Sequence, residues 1–490
     1  MWPLKMSQIY EYIFHKPCQN EKWKSIEIQS ISTNSREIEN NQLFIAIEGD
    51  KFDGHQYINS AFENGSTFAI INKDSKYYKN IQDKYKHFCL EVDDTIETFR
   101  EFSKSFRKNF SFPVFGIGGS NGKTTTKEFL SAMLSGKNLK ILKTEKSENG
   151  FLGVAVTLTQ KGLRQESAPN YLVVEIGIDD IGAMEKHMDI VHPNIVLLTA
   201  LGPEHLTGLK TWEIGIREEM FLFSYKNTIR IWQLDDDKIY EQYLTHKLSK
   251  KNDFFVFEKN KRKIIEENIF EYEVLKIESF QSEINIYSKN KDKIKFNVPL
   301  PGRHNISNFV LSYATAKSLS ISNENIFEGF KKFIPPKMRS EVKNLDSTTI
   351  LYNDSYNSSP KSLEMGLQTI QIPEWKNKNK TIILGDMLEL DEGSIYWHEN
   401  ASNNILQLEN SDLFFCGPFM YYCYRKLKSN HEHELVEKNL NAHHFLSVDD
   451  LLLYFQKNDF DFKNQILFLK GSRGMHLEKI VEFIEKKFSF

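Results

Sequence analysis

"FPVFGIGGSNGKTTTKEFLSAML", Phe112–Leu134, decides how the chain is read. A short apolar run ends in glycines and a segment with helical apolar spacing follows, so the stretch predicts a strand, a turn and a helix. That order is what an anion cradle needs. Loop N–H groups and a helix N-terminus converge on one point, Lys123 adds positive charge, and the Thr124 hydroxyl can reach a Mg2+ ion. The text departs from the pattern G-x-x-x-x-G-K-[ST], because its first glycine would fall at Ile117; the glycines are Gly116, Gly118, Gly119 and Gly122. Read alone, the loop is either a phosphate cradle made of Gly119, Ser120, Asn121, Gly122, Lys123, Thr124 and Thr125, or a tight turn whose lysine is merely exposed.

Outward from the loop, from Pro113 to about Lys332, "VFGIGG", "YLVVEIGI" and "NIVLLTAL" are short buried runs alternating with helical segments, the pattern of a parallel sheet covered by helices. "INIYSKNKDKIKFNV" alternates apolar and polar residues around a lysine-asparagine turn and predicts an antiparallel hairpin. Upstream, "NQLFIAIEG" (Asn41–Gly49) predicts a strand, and "GHQYINSAFENGSTFAII" a helix, a stop at Gly65 and a strand. A basic helix, "FREFSKSFRKNF", precedes Pro113. Downstream, "FIPPKMRS" (Phe333–Ser340) is a proline-bearing connector, and "TTILYND", "KTIILGDM", "DLFFCG" and "NQILFLKGS" are buried strands, each followed by a helix. A length of 490 residues suits three domains at roughly 150 residues each. The reading is an α/β protein: a small N-terminal α/β domain (1–110), a central P-loop-type mononucleotide-binding sheet domain (111–332) and a C-terminal Rossmann-like domain (333–490).

The 63 basic and 66 acidic side chains leave a net charge of −3, which gives no reason to expect nucleic acid or an anionic membrane as partner. Phosphate binding must then come from a local site. Cys18, Cys89, Cys416 and Cys423 are scattered, with no C-x-x-C pair, and read as reduced thiols of a cytoplasmic protein. "MWPLKMSQIYEYIF" lacks the apolar core of a signal peptide, and no run of 18 apolar residues occurs, so a soluble chain without a membrane span is expected.

"GGSNGKTTTKE" resembles the ATP loop of the Mur ligase family, G-x-x-G-K-T-[ST]. "STNSREIENNQLFIAIEGDKFDGHQYINSAFENG", "LPGRHNISN", "YNDSYNSSPKSLEMGL", "LGDMLEL" and "LFLKGSRGMHLEKIV" are similar to further family segments, spread over nearly the whole chain. Within the family, "FDGH" (Phe52–His55) and the combination of "NDSYN", "LGDMLEL" and "KGSR" resemble the member that joins D-alanyl-D-alanine to UDP-N-acetylmuramoyl-tripeptide. The resemblance implies ATP and Mg2+, these two substrates, an acyl-phosphate route to an amide bond, and a monomer acting in cytoplasmic peptidoglycan precursor synthesis.

The resemblance also implies roles for single residues. Glu175, at the end of "YLVVE", stands where the family holds Mg2+, together with Thr124, and His205 in "LGPEHLTGL" where it builds a second metal site. Asn305 resembles the adenine contact, with capping of the following helix as the alternative. Asp354 resembles the residue that meets the ribose, and Arg339 the arginine that reaches the nucleotide phosphates. Ser35, Arg36 and Asn149 match the UDP-sugar side, although Gly150 replaces an asparagine of the "N-x-N-N" segment. Lys470 and Arg473 match the side of the incoming amine.

Two positions depart from the pattern. Arg217, in "GIREEMFLF", stands where the family carries a carbamylated lysine, so the charge there is reversed. Either Glu218 or Glu219 supplies the missing carboxylate, or Arg217 itself neutralises phosphate as a catalytic residue; the second is favoured, since an arginine can stabilise a transferring phosphoryl group. Lost activity is the third reading. Asp179 and Asp180 replace the family's usual Asn-His. A ligase of the same architecture acting on folate, another Mur-type ligase, and a nucleotide-binding homologue without catalysis stay open as rivals. On the favoured reading Lys123, Glu175, His205 and Arg217 are catalytic, and Lys123→Ala is expected to abolish ATP-dependent turnover while circular dichroism shows a folded protein; near-normal turnover would contradict the loop assignment.

Overall fold

The computed structural model describes residues 1–49, 52–145, 148–247, 251–288 and 292–488. They form two compact units, one of Met1–Gly116, Asn138–Gly177 and Ala183–Ile195, the other of Ile117–Lys137, Ile178–Gly182 and Val196–Phe490.

The first unit holds a four-stranded parallel sheet in the order Ser30–Ser32, Gln42–Ile45, Ser66–Asn72, Cys89–Val92. Its strands form because Leu43, Phe44, Ile45, Phe68, Ile70 and Ile71 have no access to water. Helix Ile58–Glu63 ends at Gly65, whose φ of 115° and close neighbour Asn40 exclude a side chain. The basic helix is Thr95–Arg107, started by Asp94, whose carboxylate accepts from the N–H groups of Ile96 and Glu97. Its Phe99, Phe102 and Phe106 are buried, and Trp2 stacks on Phe106 with its indole N–H donating to the Thr159 carbonyl. Arg100 and Arg107 are buried too: Arg100 donates to the carbonyls of Phe151 and Lys186, and Arg107 to those of Val191 and His192, satisfying the end of helix Ala183–Val191. These bonds explain why residues far along the chain group with the N-terminal ones. The strand pair Ile141–Lys143 and Tyr171–Glu175, parallel, completes this unit.

The second unit holds two sheets. In one, the order from the edge is Lys293–Val298, Ser282–Ser288, Ile269–Ile277, Phe254–Glu258, Ile229–Gln233, Ile195–Leu198. The first three pair antiparallel, as the alternating pattern predicts, and the turn of that hairpin, residues 289–291, lies outside the described residues. Parallel pairing begins between Ile269–Ile277 and Phe254–Glu258. The other sheet runs Glu341–Asn344, Ile350–Asn353, Ile466–Lys470, Lys380–Gly385, Ser411–Cys416, Leu440–Phe445, parallel except for its first strand. The four inner strands are those read from the sequence; the two edges are half exposed and carry no apolar run. No described helix is long and apolar enough to cross a membrane, and all four cysteines are free thiols.

Beneath the first of these sheets Asp253 is fully buried, accepting from Arg230 Nε and Trp232 Nε1 at 2.8 Å each. Asp253→Ala leaves the buried guanidinium without this carboxylate and is expected to cost about 3–5 kcal/mol. Denaturant titration checks this, and a loss below about 1 kcal/mol, the range of an exposed ion pair, would contradict it.

Candidate functional site

Strand Val114–Gly118 is buried along its length and runs into Gly119 and Gly122, at φ 109° and 96°. A Cβ at Gly119 would lie 2.2 Å from Thr199 Oγ1, and one at Gly122 2.6 Å from Asn308 Oδ1, so both positions require glycine twice over. The Ser120 and Asn121 N–H groups donate to the Ala200 carbonyl, and the Gly202 N–H donates to Ser120 Oγ, fixing the loop to the end of the neighbouring strand. Helix Lys123–Leu134 follows with no side-chain hydrogen bond from its N-cap, Gly122, and its N-terminus carries the positive end of the helix dipole. Lys123 is buried, not the exposed lysine of a plain turn. Its Nζ donates to the Gly119 carbonyl at 2.5 Å and lies 3.5 Å from Glu204 Oε1.

A second carboxylate reaches the loop from helix Trp212–Phe221. Glu219 Oε2 accepts the Gly119 N–H at 2.7 Å, and its Oε1 is buried with no hydrogen-bond partner. Burial, helped by the charge of Glu204, pushes the Glu219 carboxyl up to about 7 against the pull of Lys123 and the Gly119 N–H. Burial likewise raises the Glu204 carboxyl above its ordinary range, with Lys123 opposing. Arg217 lies two positions earlier, about 200° around the helix, and is exposed. The charge this helix brings to the loop is therefore negative. Of the residues the two readings name, Arg217 is exposed and Glu219 is the one in hydrogen-bond contact with the loop.

His205, in the left-handed region at φ 49°, places Nδ1 2.7 Å from Glu389 Oε2, while the Leu206 N–H donates to the Glu389 carbonyl. Glu389 is itself at φ 67°, so both ends of this contact hold backbone strain of the kind found at functional sites. Burial disfavours the charged imidazole, but the Glu389 hydrogen bond and the charge of Glu204 outweigh it and raise the His205 pKa. Ser359 Oγ adds a further contact, donating to Asn121 Oδ1 at 2.9 Å.

Asp354 and Lys470 are brought together at the carboxyl ends of neighbouring parallel strands. Lys470 Nζ donates to Asp354 Oδ2 at 2.6 Å, to the Asp354 carbonyl at 3.4 Å and to the Asn357 carbonyl at 3.1 Å, and the residue is 2% exposed. Its three donors thus serve its own sheet, while Asp354 Oδ1 accepts the Ser340 N–H. Burial pushes His304, whose Nε2 lies 3.2 Å from Ser340 Oγ, down to about 4. Arg339 stacks its guanidinium 4.0 Å over the Tyr356 ring. Arg473 pairs with Glu478 at 3.2 Å. Asn305 is buried and donates to the Pro301 carbonyl at 2.7 Å. Asp179 and Asp180 are exposed, and Asp180 Oδ1 accepts the Ile181 N–H.

In the other unit Glu175 is 1% exposed and its Oε1 accepts from Asn149 Nδ2 at 2.8 Å, which joins two residues the sequence singled out. The Ser35 carbonyl accepts from Asn64, and Arg36 is exposed. "FDGH" has a structural explanation: His55 is buried, with Nδ1 2.6 Å from Asp53 Oδ1 and Nε2 accepting the Asn72 N–H. Gly54 leaves no room for a Cβ, which would sit 2.8 Å from the Ile47 backbone.

Sequence reasoning assigned no role to Glu204, Ser359 or Glu389. Each lies inside a stretch already quoted, "LGPEHLTGL", "YNDSYNSSPKSLEMGL" or "LGDMLEL", but no spacing rule singles it out. Among the described residues no three His, Cys, Asp or Glu side chains form a metal site by themselves. The buried Thr124 hydroxyl and the Glu219 oxygen left without a hydrogen-bond partner are hard donors, which fits a Mg2+ ion that keeps waters and binds phosphate oxygens as well.

The raised Glu219 pKa gives a pH prediction. The folded state holds this proton up to about 7 and the unfolded chain only to 4.5, so stability is full below the unfolded value and falls as pH rises through the folded one. Glu219→Gln keeps the acceptor and removes the charge. It is expected to match the wild type near pH 4.5 and exceed it by about 3 kcal/mol above pH 8 in denaturant titrations; a pH-independent difference would contradict the burial of an ionisable Glu219.

The sequence matches "Mur ligase middle domain" over residues 117–316 and "Mur ligase family, catalytic domain" over residues 27–107, together more than half of the chain. A UDP-N-acetylmuramoyl-tripeptide–D-alanyl-D-alanine ligase of Bacillus subtilis is 26% identical over 470 residues, covering 94% of each chain. One of Buchnera aphidicola subsp. Baizongia pistaciae is 29% identical, covering 95% of this chain and 94% of its own. Among solved structures, MurF from Acinetobacter baumannii shares the fold at a TM-score of 0.78 and 23% identity, covering 99% of both chains. From the phosphate loop outward, through the matched middle and catalytic domains, this chain belongs to the Mur ligase family.

Proposed function

We propose that this protein is an ATP-dependent ligase that adds D-alanyl-D-alanine to UDP-N-acetylmuramoyl-tripeptide, in the cytoplasm and as a monomer, in peptidoglycan precursor synthesis. The observation that carries the reading is the buried loop: two glycines at positive φ, a helix N-terminus at its end, and Lys123 held between Gly119 and Glu204. The names of the full-length curated relatives supply the substrates. Residues 1–110 take the UDP-sugar, with Ser35, Arg36 and Asn149 on that side. Residues 111–332 take ATP on Gly119–Thr125, with Asn305 toward adenine. Residues 333–490 bring Arg339 and Asp354 to the nucleotide and carry the amine side.

The chemistry demands fixed positive charge. A carboxylate must approach the γ-phosphate of ATP, both anionic, to form an acyl phosphate and ADP; the dipeptide amine then attacks the acyl carbon and phosphate leaves. Lys123 is held at the loop before the nucleotide arrives and needs only to exchange Glu204 for a phosphate oxygen to stabilise the developing charge; the loss of one such donor typically costs about 3 kcal/mol. Thr124, Glu175 and His205 are the residues we assign to Mg2+, with Glu219 in place of a carbamylated lysine; when bound, the ion would neutralise phosphate charge. Arg217, exposed, is left outside the chemistry. Glu389 and Ser359 reach His205 and Asn121 from the last 158 residues, which ties the amine side to the loop and supports exclusion of water from the acyl phosphate.

Phosphate release from the purified protein, with one component omitted at a time, tests the reading. Release is expected only when ATP, Mg2+, UDP-N-acetylmuramoyl-tripeptide and D-alanyl-D-alanine are all present. Release driven by folate and glutamate, or ATP binding without turnover on any acceptor, would replace it.

A further inference from the structure

Three residues assigned above to the nucleotide come from different elements of one unit. Asn305 lies in the first turn of helix Arg303–Ser318, Asp354 follows strand Ile350–Asn353 of the other sheet, and Arg339 stands on the connector between them. Two features press these elements together. Gly302, at φ 97°, brings the helix start so close to helix Pro360–Thr369 that a Cβ would stand 2.6 Å from Thr369 Oγ1. On the connector, Met338 and Ser340, at φ 58° and 50°, put both neighbours of Arg339 in the left-handed region, which side chains disfavour. Such strain persists only where surrounding bonds over-determine the backbone. The Met338 N–H donates to Glu341 Oε2 and its carbonyl accepts the Tyr356 N–H, at 3.0 Å each.

Ser340 carries the remaining bonds and is 4% exposed. Its N–H donates to Asp354 Oδ1 at 2.9 Å. Its hydroxyl accepts from the Tyr352 hydroxyl at 3.3 Å and lies 3.2 Å from His304 Nε2. Burial keeps the His304 ring neutral near pH 7, so with its proton on Nδ1 the ring accepts at Nε2 the one proton Ser340 Oγ has to give. A single line of donors thus runs from Tyr352, in one sheet, through Ser340 to His304, on the helix of the other.

We propose that Ser340 and His304 are positioning residues for the nucleotide: through the Ser340 hydroxyl, the helix start bearing Asn305 and the carboxylate of Asp354 are held at one separation, so that adenine and ribose are read in a single register. Each acts through another side chain. The inference rests on the ligase reading above, which places Asp354 at the ribose and Asn305 at adenine, and adds the residues that hold those two in step. Lys470 fixes the other oxygen of Asp354 from a strand of the same sheet. Ser340 is the support that ties Asp354 to the neighbouring helix, and its left-handed backbone is what turns its N–H to the carboxylate while its hydroxyl meets the ring.

Isothermal titration with ATP and with 2′,3′-dideoxy-ATP, Mg2+ present and no acceptor added, tests the proposal. The wild type is expected to bind ATP roughly 10- to 100-fold more tightly, the scale of a hydrogen bond from a ribose hydroxyl to a carboxylate. Asp354→Ala, the control, removes this preference. Ser340→Ala keeps the N–H and loses the hydroxyl; its two affinities come within about threefold of each other, because Asp354 is present but out of register. His304→Leu does the same, and His304→Gln, whose amide oxygen accepts in place of Nε2, keeps the wild-type preference. Thermal melting confirms that each variant folds, and Ser340→Ala, the smallest change, carries the test alone if His304→Leu does not. A folded Ser340→Ala that keeps the wild-type preference, or a His304→Gln no better than His304→Leu, overturns the positioning role. A wild type that binds both nucleotides equally, or an Asp354→Ala that still prefers ATP, overturns the ribose contact and this proposal with it. The ligase reading falls separately, on phosphate release from the wild type.

Discussion

A carboxylate and a lysine hold the phosphate loop by its ends, and the arrangement of the site follows from that. Gly119 gives its N–H to Glu219 and its carbonyl to Lys123, so one residue at positive φ carries both charges. Lys123 and Glu219 are buried, and Glu204 beside them is largely shielded from water. In such surroundings a charge is tolerated only when paired, and the raised carboxyl groups of Glu204 and Glu219 express that cost. A triphosphate entering here offers Lys123 a stronger partner than either carboxylate. The loop is therefore poised: its donors are placed in advance, and its lysine is held by groups that a polyphosphate can outcompete.

The second sheet of the same unit meets the loop through side chains at its carboxyl edge, where α/β sheets place their ligands. Glu389 fixes one ring nitrogen of His205, which sets the tautomer and orientation of the other. Lys470 and the Ser340 N–H fix both oxygens of Asp354. Partners of this kind do no chemistry of their own, but they keep a functional side chain in one rotamer. They also explain why "NDSYN", "LGDMLEL" and "KGSR" occur together: their residues hold one another across adjacent strands.

Much of this was legible in the sequence. Buried strands bounded by turn residues, the Gly65 stop and the hairpin alternation all follow from local pattern, because burial on both faces of a parallel strand leaves a continuous apolar run. The edge strands Glu341–Asn344 and Leu440–Phe445 were not legible, since an edge is half in water and needs no such run. The grouping of residues 138–177 and 183–195 with the N-terminal part was hidden for another reason: it depends on side chains that reach backbone carbonyls far along the chain, Trp2 that of Thr159, Arg100 those of Phe151 and Lys186, and Arg107 that of Val191, and no periodicity records contacts that distant. At the site, the strand-turn-helix form of the loop was legible from its glycines, whereas the contact between Glu175 and Asn149, singled out separately and for different roles, was not. What the sequence left open between Arg217 and a neighbouring carboxylate depends on place along the helix: two residues apart face nearly opposite ways, Arg217 is exposed, and Glu219 is the one hydrogen-bonded to the loop.

The central claim is that the triphosphate of ATP sits on Gly119–Thr125. A crystal structure with a non-hydrolysable ATP analogue and Mg2+ tests it directly. The account predicts phosphate density over this loop, with Lys123 Nζ moved from Glu204 onto a phosphate oxygen. Nucleotide bound in another crevice, or Lys123 still resting on Glu204 and the Gly119 carbonyl beside a filled site, would contradict it.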